Sequence, residues 1–289
     1  MTEWRHMSVI KDILKGILIG IANIIPGVSG GTMAVSMGIY DKIISSITNL
    51  FRNFKQSIKT LFPYIIGMFL GIVGLSFFIE FLFEKYPLPT NMLFIGLILG
   101  GVPMLFRRLK GKKTNIGHYL LFVIFFSFTI ILQLLTHVGE TNLTYSFDLI
   151  QTIKLFIIGV IASATMVVPG VSGSLILMLL GFYNPIIEAI TSFLKALLSF
   201  NIGEVLGACA ILIPFGIGVV VGIIVIAKLI SFLLEKFETH TFSAILGLIL
   251  SSPIVIFMNA TNITINFGII VASVITLVIG LFISYRLGE

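Results

Sequence analysis

The same block of residues occurs twice in this chain, and this internal repeat constrains the fold more than any other feature. Residues 16–48 align with residues 159–191 at an offset of 143, and 12 of the 33 positions are identical. The core of each copy is the pentapeptide PGVSG, at Pro26–Gly30 and again at Pro169–Gly173. The chain is therefore built from two related halves that contain the same order of elements.

The composition assigns these halves to a membrane. Of the 289 residues, 57% are hydrophobic and 10% are charged, whereas about 25% are charged in an average soluble domain. A soluble protein of this size could not bury so much apolar surface, which excludes a soluble enzyme, a disordered chain and a nucleic-acid binder. We therefore predict an all-α polytopic membrane protein with a single membrane domain over residues 1–289.

A second match sets the limits of the repeats. Residues 81–99 match residues 232–250 at nine of 19 positions. The repeats are therefore expected at about 11–137 and about 154–286. Each half is predicted to contain a Gly/Pro-broken helical hairpin followed by three spanning helices. The hairpins are predicted at about 13–50 and 155–194, and the spanning helices at about 61–83, 91–107, 117–137, 206–230, 242–258 and 267–285.

The arms of the hairpins are predicted to be short. The apolar arm before the first PGVSG, Ile13–Ile25, has 13 residues, and the arm before the second, Leu155–Val168, has 14. A helix needs about 20 residues to cross the hydrocarbon layer. Each hairpin is therefore predicted to be re-entrant: it enters the membrane, breaks near the middle and returns.

Basic residues predict the orientation, because Lys and Arg are enriched in cytoplasmic loops. The densest cluster spans residues 107–113 and is expected in the cytoplasm. Tracing the helices outward from it places 15 of the 18 basic residues inside and only Lys85, Lys154 and Lys195 outside. Each half then crosses an odd number of times, so the two repeats have inverted topology and both termini are cytoplasmic.

The two breaks are the candidate binding site. Pro26 and Pro169 lack a backbone N–H and end the preceding helix, and the glycines permit positive φ and close backbone approach. Ser29 or Ser172 could cap the helix that follows, whose free N–H groups form an anion site. Two inverted copies would bring two such helix ends together near the midplane. The predicted ligand contacts are Asn23, Pro26, Gly27, Ser29, Gly30, Gly31, Thr32, Pro169, Gly170, Ser172, Gly173 and Ser174.

Other polar residues are candidates for lining the cavity or for coupling to an ion. The pairs Tyr40-Asp41 and Tyr183-Asn184 recur in the two halves, where they either line the cavity or anchor the interface. Glu188 is expected at the outer rim, near basic residues. Glu80 lies close to an apolar run, where an ionisable group is a functional candidate by default.

Cofactor chemistry has no support in the sequence. The four histidines lie on different segments without metal-ligand spacing, and neither a Walker A motif nor a dinucleotide fingerprint is present. We expect no metal and no cofactor. A proton or sodium gradient, or the gradient of the substrate itself, would supply any energy needed. The apolar surroundings of the breaks favour a lipid phosphate as the ligand, with a small water-soluble anion as the alternative.

The paired blocks PGVSGG…MGIYDKII and PGVSGS…LGFYNPII resemble the polyprenyl-phosphate transporter family over essentially the whole chain. The resemblance implies a transporter, not an enzyme, that returns undecaprenyl phosphate from the outer to the inner leaflet of the bacterial cytoplasmic membrane. That carrier lipid serves the synthesis of peptidoglycan and other envelope polymers. The resemblance also implies inverted repeats with two re-entrant hairpins.

The breaks are also similar to the PGxSRS block of membrane undecaprenyl-pyrophosphate phosphatases. Here the arginine position is occupied by Gly30 in one half and by Gly173 in the other, and no ExxxE motif precedes the first break. A phosphatase needs a cation to stabilise the charge that develops on the phosphoryl group. A membrane phosphatase is therefore the weaker alternative, while phosphate binding stays plausible.

Overall fold

A computed structural model describes residues 2–24, 28–112, 115–135, 143–145, 148–260 and 265–288. Within these ranges the chain is entirely helical and contains no strand. Two predicted site residues, Pro26 and Gly27, lie outside them. The helices are α1 (Thr2–Ile24), α2 (Gly30–Ser36), α3 (Tyr40–Thr48), α4 (Phe54–Lys85), α5 (Pro87–Leu109), α6 (Ile116–Leu134), α7 (Leu149–Val167), α8 (Gly173–Leu179), α9 (Tyr183–Leu198), α10 (Ile202–Lys236), α11 (Glu238–Asn259) and α12 (Phe267–Gly288).

Seven of these helices are long and apolar enough to cross a membrane: α4, α5, α6, α7, α10, α11 and α12. Six of them coincide with the six predicted spanning helices, so the prediction of a polytopic helical membrane protein is confirmed. The short helices α8 and α9 meet at an angle of 110°, which makes them either a broken span or a re-entrant loop.

The arms before the two breaks are longer than predicted. α7 begins at Leu149 and has 19 residues, so the expected length of 14 was wrong. The cause is the cap: the Asp148 carboxylate accepts a hydrogen bond from the Gln151 N–H, and the helix therefore includes the polar turn at 151–154. α1 likewise begins at Thr2, well before the apolar part of its sequence.

The helices associate in four tight pairs, in which glycine lets two backbones approach closely. A Cβ at Gly16 of α1 would overlap the backbone of Tyr64 in α4, and one at Gly67 of α4 would overlap Ile13 in α1. Gly71 lies against Ile17 in the same way, four residues further along both helices. Because the contacts advance together, α1 and α4 run parallel.

The other three pairs follow the same pattern, with small residues spaced by four. In α7 and α10, Gly218 packs on Phe156, and Gly222 packs on Val160 and Ser163. The α5–α12 pair is joined through Gly96 and Gly280, and the α6–α11 pair through Gly247. In the repeat alignment, the α1–α4 pair is equivalent to the α7–α10 pair, and the α5–α12 pair is equivalent to the α11–α6 pair.

Two turns of a single residue each connect successive long helices. Tyr86 is the only residue between α4 and α5, and Phe237 is the only residue between α10 and α11. The two residues are equivalent at the repeat offset of 151, and their φ angles are −136° and −130°. Both turns place α5 and α11 in the interior of the bundle, where these two helices are the most buried of the candidate spans.

One end of the bundle gathers basic and aromatic residues from distant parts of the sequence. Arg108 at the end of α5 forms an ion pair of 3.2 Å with Asp41 in α3 and lies over the ring of Phe242 in α11. Lys112 pairs with Glu238 at the start of α11. We refer to this end, where α5 and α12 end and α6 and α11 begin, as the basic end.

Candidate functional site

The two breaks touch each other in the interior. A Cβ at Gly31 would lie 3.3 Å from the Cα and backbone nitrogen of Pro169, so the lack of a side chain at Gly31 favours this close approach. The Thr32 hydroxyl oxygen accepts a hydrogen bond of 2.7 Å from the backbone N–H of Gly170. Gly170 has a φ of +84° and packs on Leu248 of α11, which explains why glycine follows the proline.

A second hydrogen bond ties the first hairpin to the second break. The Tyr40 hydroxyl donates to the Val167 carbonyl over 3.0 Å, and Tyr40 is buried. Val167 is the last residue of α7, so this carbonyl has lost its partner within the helix. Tyr40 therefore donates a hydrogen bond to the free carbonyl at the end of a helix in the other half of the chain. This contact differs from both roles, lining the cavity or anchoring the interface, that the sequence left open for Tyr40.

A cavity of about 320 Å³ lies beside the first break. Its walls are mostly apolar and come from α1, α3, α4, the end of α7 and α10, including Ile19, Ile44 and Met68. Its polar groups are concentrated at Asn23, at the start of α2 and at the tyrosines 40 and 64. A space with apolar walls and a few placed polar groups is suited to an amphiphile.

Ser29 occupies the N-cap position of α2, as predicted, but its side chain does not cap the helix. Its hydroxyl is buried, with the residue 4% exposed, and has no hydrogen-bond partner among the described residues. The N–H of Gly30 instead donates to the Asn23 side chain over 3.2 Å. The first bond along α2 joins the Met33 N–H to the Ser29 carbonyl, so the N–H groups of residues 31 and 32 precede it.

A group of charged residues lies beside one wall of this cavity, behind Tyr64, and was not among the predicted site residues. Tyr64 lines the cavity, and its hydroxyl donates to Asp12 over 2.6 Å and accepts from Lys42 over 2.9 Å. Lys42 also pairs with Asp12 at 3.0 Å. Lys15 donates to the carbonyl of Met37, just after α2. The only sign of this group in the sequence is that its four polar residues lie next to apolar segments.

The second break has a different environment from the first, although the pentapeptides are identical. All seven residues of α2 are buried, whereas only Leu175 is buried in α8. Ser172 also occupies an N-cap position without capping the helix, and its hydroxyl lies 2.7 Å from that of Ser174. Helix α2 packs on α1, α3, α5 and α7, whereas α8 packs mainly on α7 and α9.

Several predicted residues lie apart from the cavity. Asp41 faces Arg108 at the basic end, and Asn184 and Glu188 are exposed on α9. Tyr183, the counterpart of Tyr40, is only half-buried. The side chain of Glu80 lies outside the described part of the structure. In the ranges that the structure covers, no cluster of three or more His, Cys, Asp or Glu residues could hold a metal ion.

The fold and the site define a multi-pass helical membrane protein whose two broken segments meet beside a cavity with apolar walls. A family model described as undecaprenyl phosphate translocase-like (VCA0040-like) matches residues 19–269, with a further match over residues 208–286. The chain belongs to this family.

Two relatives match most of the chain. A polyprenyl-phosphate transporter of Staphylococcus aureus is 37% identical over 286 residues, which cover 96% of this chain and 95% of that protein. A polyprenyl-phosphate transporter of Vibrio cholerae is 31% identical over 262 residues, which cover 86% of this chain and 77% of that protein. No solved structure matches the chain significantly.

Proposed function

We propose that this protein transports polyprenyl phosphate across the bacterial cytoplasmic membrane, returning the lipid from the outer to the inner leaflet. The names of its relatives support the substrate. The observation that carries the proposal is the cavity beside the first break, which combines apolar walls with Asn23 and the start of α2. Next to these lining residues, the Ser29 hydroxyl is buried and has no partner among the described residues. A buried hydroxyl without a partner is costly, so a bound oxygen-rich group would stabilise it.

The phosphate is held at the first break. Ser29, the N–H groups at the start of α2 and the Asn23 amide supply hydrogen-bond donors beside the cavity. Lys42 donates to the hydroxyl of the lining residue Tyr64 and pairs with Asp12, so it places a cation near the cavity whose charge is partly offset. In the second half, Ser172 and Ser174 present hydroxyls at the equivalent position. These groups bind a phosphate without a catalytic cation at the break.

The prenyl chain is accommodated by the aliphatic walls. Ile65 of α4 and Met166 of α7 line the cavity and are 49% and 52% exposed, which supports a lateral opening between these helices. A lipid tail can then stay in the bilayer while the headgroup enters. A small water-soluble anion would gain nothing from such walls, so the apolar lining favours the lipid over a small-anion symporter or channel.

The two halves, about 11–137 and about 154–286, are inverted-topology repeats, each with a broken hairpin followed by three spanning helices. In the second half the first arm of the hairpin, α7, is itself long enough to span, so the return of the chain to the same side depends on α8 and α9. The parallel pairing of α1 with α4 and of α7 with α10 supports this arrangement, because each pair enters the membrane from one side. The basic end lies in the cytoplasm, together with both termini. The cavity opens alternately to the two leaflets as the two halves exchange conformations. The unequal burial of α2 and α8 supports this, because it shows that the two equivalent helices occupy different surroundings.

Transport is measured in liposomes that contain purified protein and labelled polyprenyl phosphate. The double variant Ser29→Ala/Ser172→Ala is expected to lower the rate of leaflet exchange about tenfold, since a hydrogen bond to a charged group contributes about 1.5–3 kcal/mol. The matched control is Ser273→Ala, which removes a buried hydroxyl from α12 that bonds only within its helix. An unchanged rate in the double variant would refute the site.

The same liposomes distinguish a transporter from a phosphatase. We expect no release of inorganic phosphate from polyprenyl pyrophosphate, because Gly30 and Gly173 stand where the related phosphatases carry an arginine. Phosphate release that the Ser29→Ala/Ser172→Ala variant abolishes would overturn the assignment as a transporter and identify an enzyme instead.

A further inference from the structure

A second and larger cavity lies between α5, α6 and α11 and does not belong to the candidate site. Its volume is about 930 Å³. None of the residues that line it lines the cavity beside the first break. We call this space the α5–α6–α11 cleft.

The cleft is amphipathic along its length. Leu99, Val102, Phe122 and Leu250 line its deeper part, one or more helical turns away from the basic end. Arg107 and Lys110 line it where α5 ends. Both cations are exposed, and neither has an ion-pair partner among the described residues, unlike the neighbouring Arg108, which pairs with Asp41.

The basic end of the cleft contains a buried imidazole that supplies a further hydrogen-bond donor. His118 lines the cleft, and its Nδ1 accepts a hydrogen bond of 2.9 Å from the Asn115 N–H. A proton on this imidazole therefore resides on Nε2, the nitrogen left to donate. The ring contacts that of His240 in α11, with 4.1 Å between centroids and a tilt of 33° between the ring planes. The basic end of the cleft thus combines two unpaired cations with an imidazole held in place.

We infer that the α5–α6–α11 cleft binds an anionic phospholipid of the surrounding bilayer, with its phosphate at Arg107 and Lys110 and an acyl chain against the apolar residues. The charges at one end and the aliphatic walls beyond it match the order of headgroup and chain in a phospholipid. Basic pockets between membrane helices bind anionic headgroups in this way. The transported lipid has a separate cavity, so this site is independent of the proposed function.

The site is tested by native mass spectrometry of the delipidated full-length protein, titrated with phosphatidylglycerol or with phosphatidylcholine. Phosphatidylglycerol is expected to bind more tightly than the zwitterionic lipid. The double variant Arg107→Gln/Lys110→Gln is expected to bind phosphatidylglycerol about thirty-fold more weakly, from the usual contribution of two basic side chains. Equal binding of both lipids by the unaltered protein would overturn the inference.

The matched control is Lys55→Gln/Lys59→Gln, which removes the same charge from exposed residues at the start of α4. Its binding of phosphatidylglycerol should be unchanged. A loss of binding equal to that of Arg107→Gln/Lys110→Gln would show that any surface charge has the same effect, and would overturn the inference. Val102→Phe narrows the cleft and keeps both cations. Unchanged binding in this variant would show that no acyl chain enters the cleft, and this result also overturns the proposal.

A third titration separates the cleft from the transport site. Polyprenyl phosphate should compete poorly with phosphatidylglycerol for the cleft and should bind Arg107→Gln/Lys110→Gln as it binds the unaltered protein. Polyprenyl phosphate binding that depends on Arg107 and Lys110 would assign the cleft to the transported lipid and overturn the inference. Failure of transport in liposomes leaves these binding results unaffected.

Discussion

The Thr32 hydroxyl oxygen and the Gly170 N–H form a buried hydrogen bond of 2.7 Å between residues 138 positions apart. This bond joins the first break to the second. It gives the Thr32 hydroxyl a structural contact, and the predicted contact of this hydroxyl with the ligand stays a prediction. The donor lies on a backbone held at positive φ, so its direction is fixed by the turn at Pro169–Gly170.

Replacing Thr32 by valine keeps the shape of the side chain and removes the acceptor. We expect Thr32→Val to lower the free energy of unfolding by about 1–3 kcal/mol, because the Gly170 N–H stays buried without a partner. Thermal unfolding of the purified protein in detergent measures the change. Thr32→Ser keeps the hydroxyl and should retain most of the stability, and equal losses in both variants would contradict the role of the hydrogen bond.

Tyr40 and Tyr183 are equivalent in the repeat but differ in burial. Tyr40→Phe is expected to cost about 1 kcal/mol of stability, since it leaves the Val167 carbonyl without the hydroxyl donor. Tyr183→Phe, at the half-buried position, is expected to change the unfolding temperature less. If the two variants are equally destabilised, the difference in environment between the hairpins has no energetic consequence.

Two glycines of α10 test the packing of the helix pairs. A Cβ at Gly222 would overlap the Ser163 hydroxyl and the backbone of Val160, so Gly222→Ala should destabilise the protein by about 1–3 kcal/mol. Gly216, on the same helix, has nothing within 4 Å of the corresponding position. Gly216→Ala should be neutral or stabilising by up to about 1 kcal/mol, because alanine favours the helix. Equal melting temperatures for the two variants would rule out close packing of α7 on α10.

The Lys42 ammonium group bonds the Tyr64 hydroxyl at the edge of the candidate site. Its side chain is 49% exposed, so Lys42→Gln should change the free energy of unfolding by less than about 1 kcal/mol. Leaflet exchange of polyprenyl phosphate should nevertheless fall about tenfold, if the charge helps to hold the phosphate. Lys59→Gln removes an exposed charge from α4 without a contact to the cavity, and an equal fall in that variant would point to surface charge alone.

The spanning helices could be predicted because long apolar segments report directly on the part of a helix that lies in lipid. The prediction of 91–107, for example, falls inside the observed Pro87–Leu109. The same logic fails at helix ends, where polar residues continue a helix into the interface. For this reason the arm ending at Val167 was predicted too short, and its true start depends on the Asp148 cap.

The candidate site was predicted only in part. Proline and glycine fix where the backbone breaks, and the repeat indicates that two breaks exist. The partner of each polar group depends on contacts between segments that are far apart in sequence, such as Asp12 with Tyr64. Identical pentapeptides also give no sign that the helix after the first, α2, is fully buried, whereas in the helix after the second, α8, only Leu175 is buried. The four-residue spacing of Gly16 and Gly20 was visible in the sequence, but the helix that it contacts was not.

The backbone contacts between paired helices leave little freedom for sliding within a pair, because glycine brings one main chain directly against the other. Relative rotation of α4 against α5 is confined to the backbone angles of Tyr86, and that of α10 against α11 to those of Phe237. A rearrangement that moves the α1–α4 pair against the α5–α12 pair must therefore rotate the chain at Tyr86, and one that moves the α7–α10 pair against the α6–α11 pair must rotate it at Phe237.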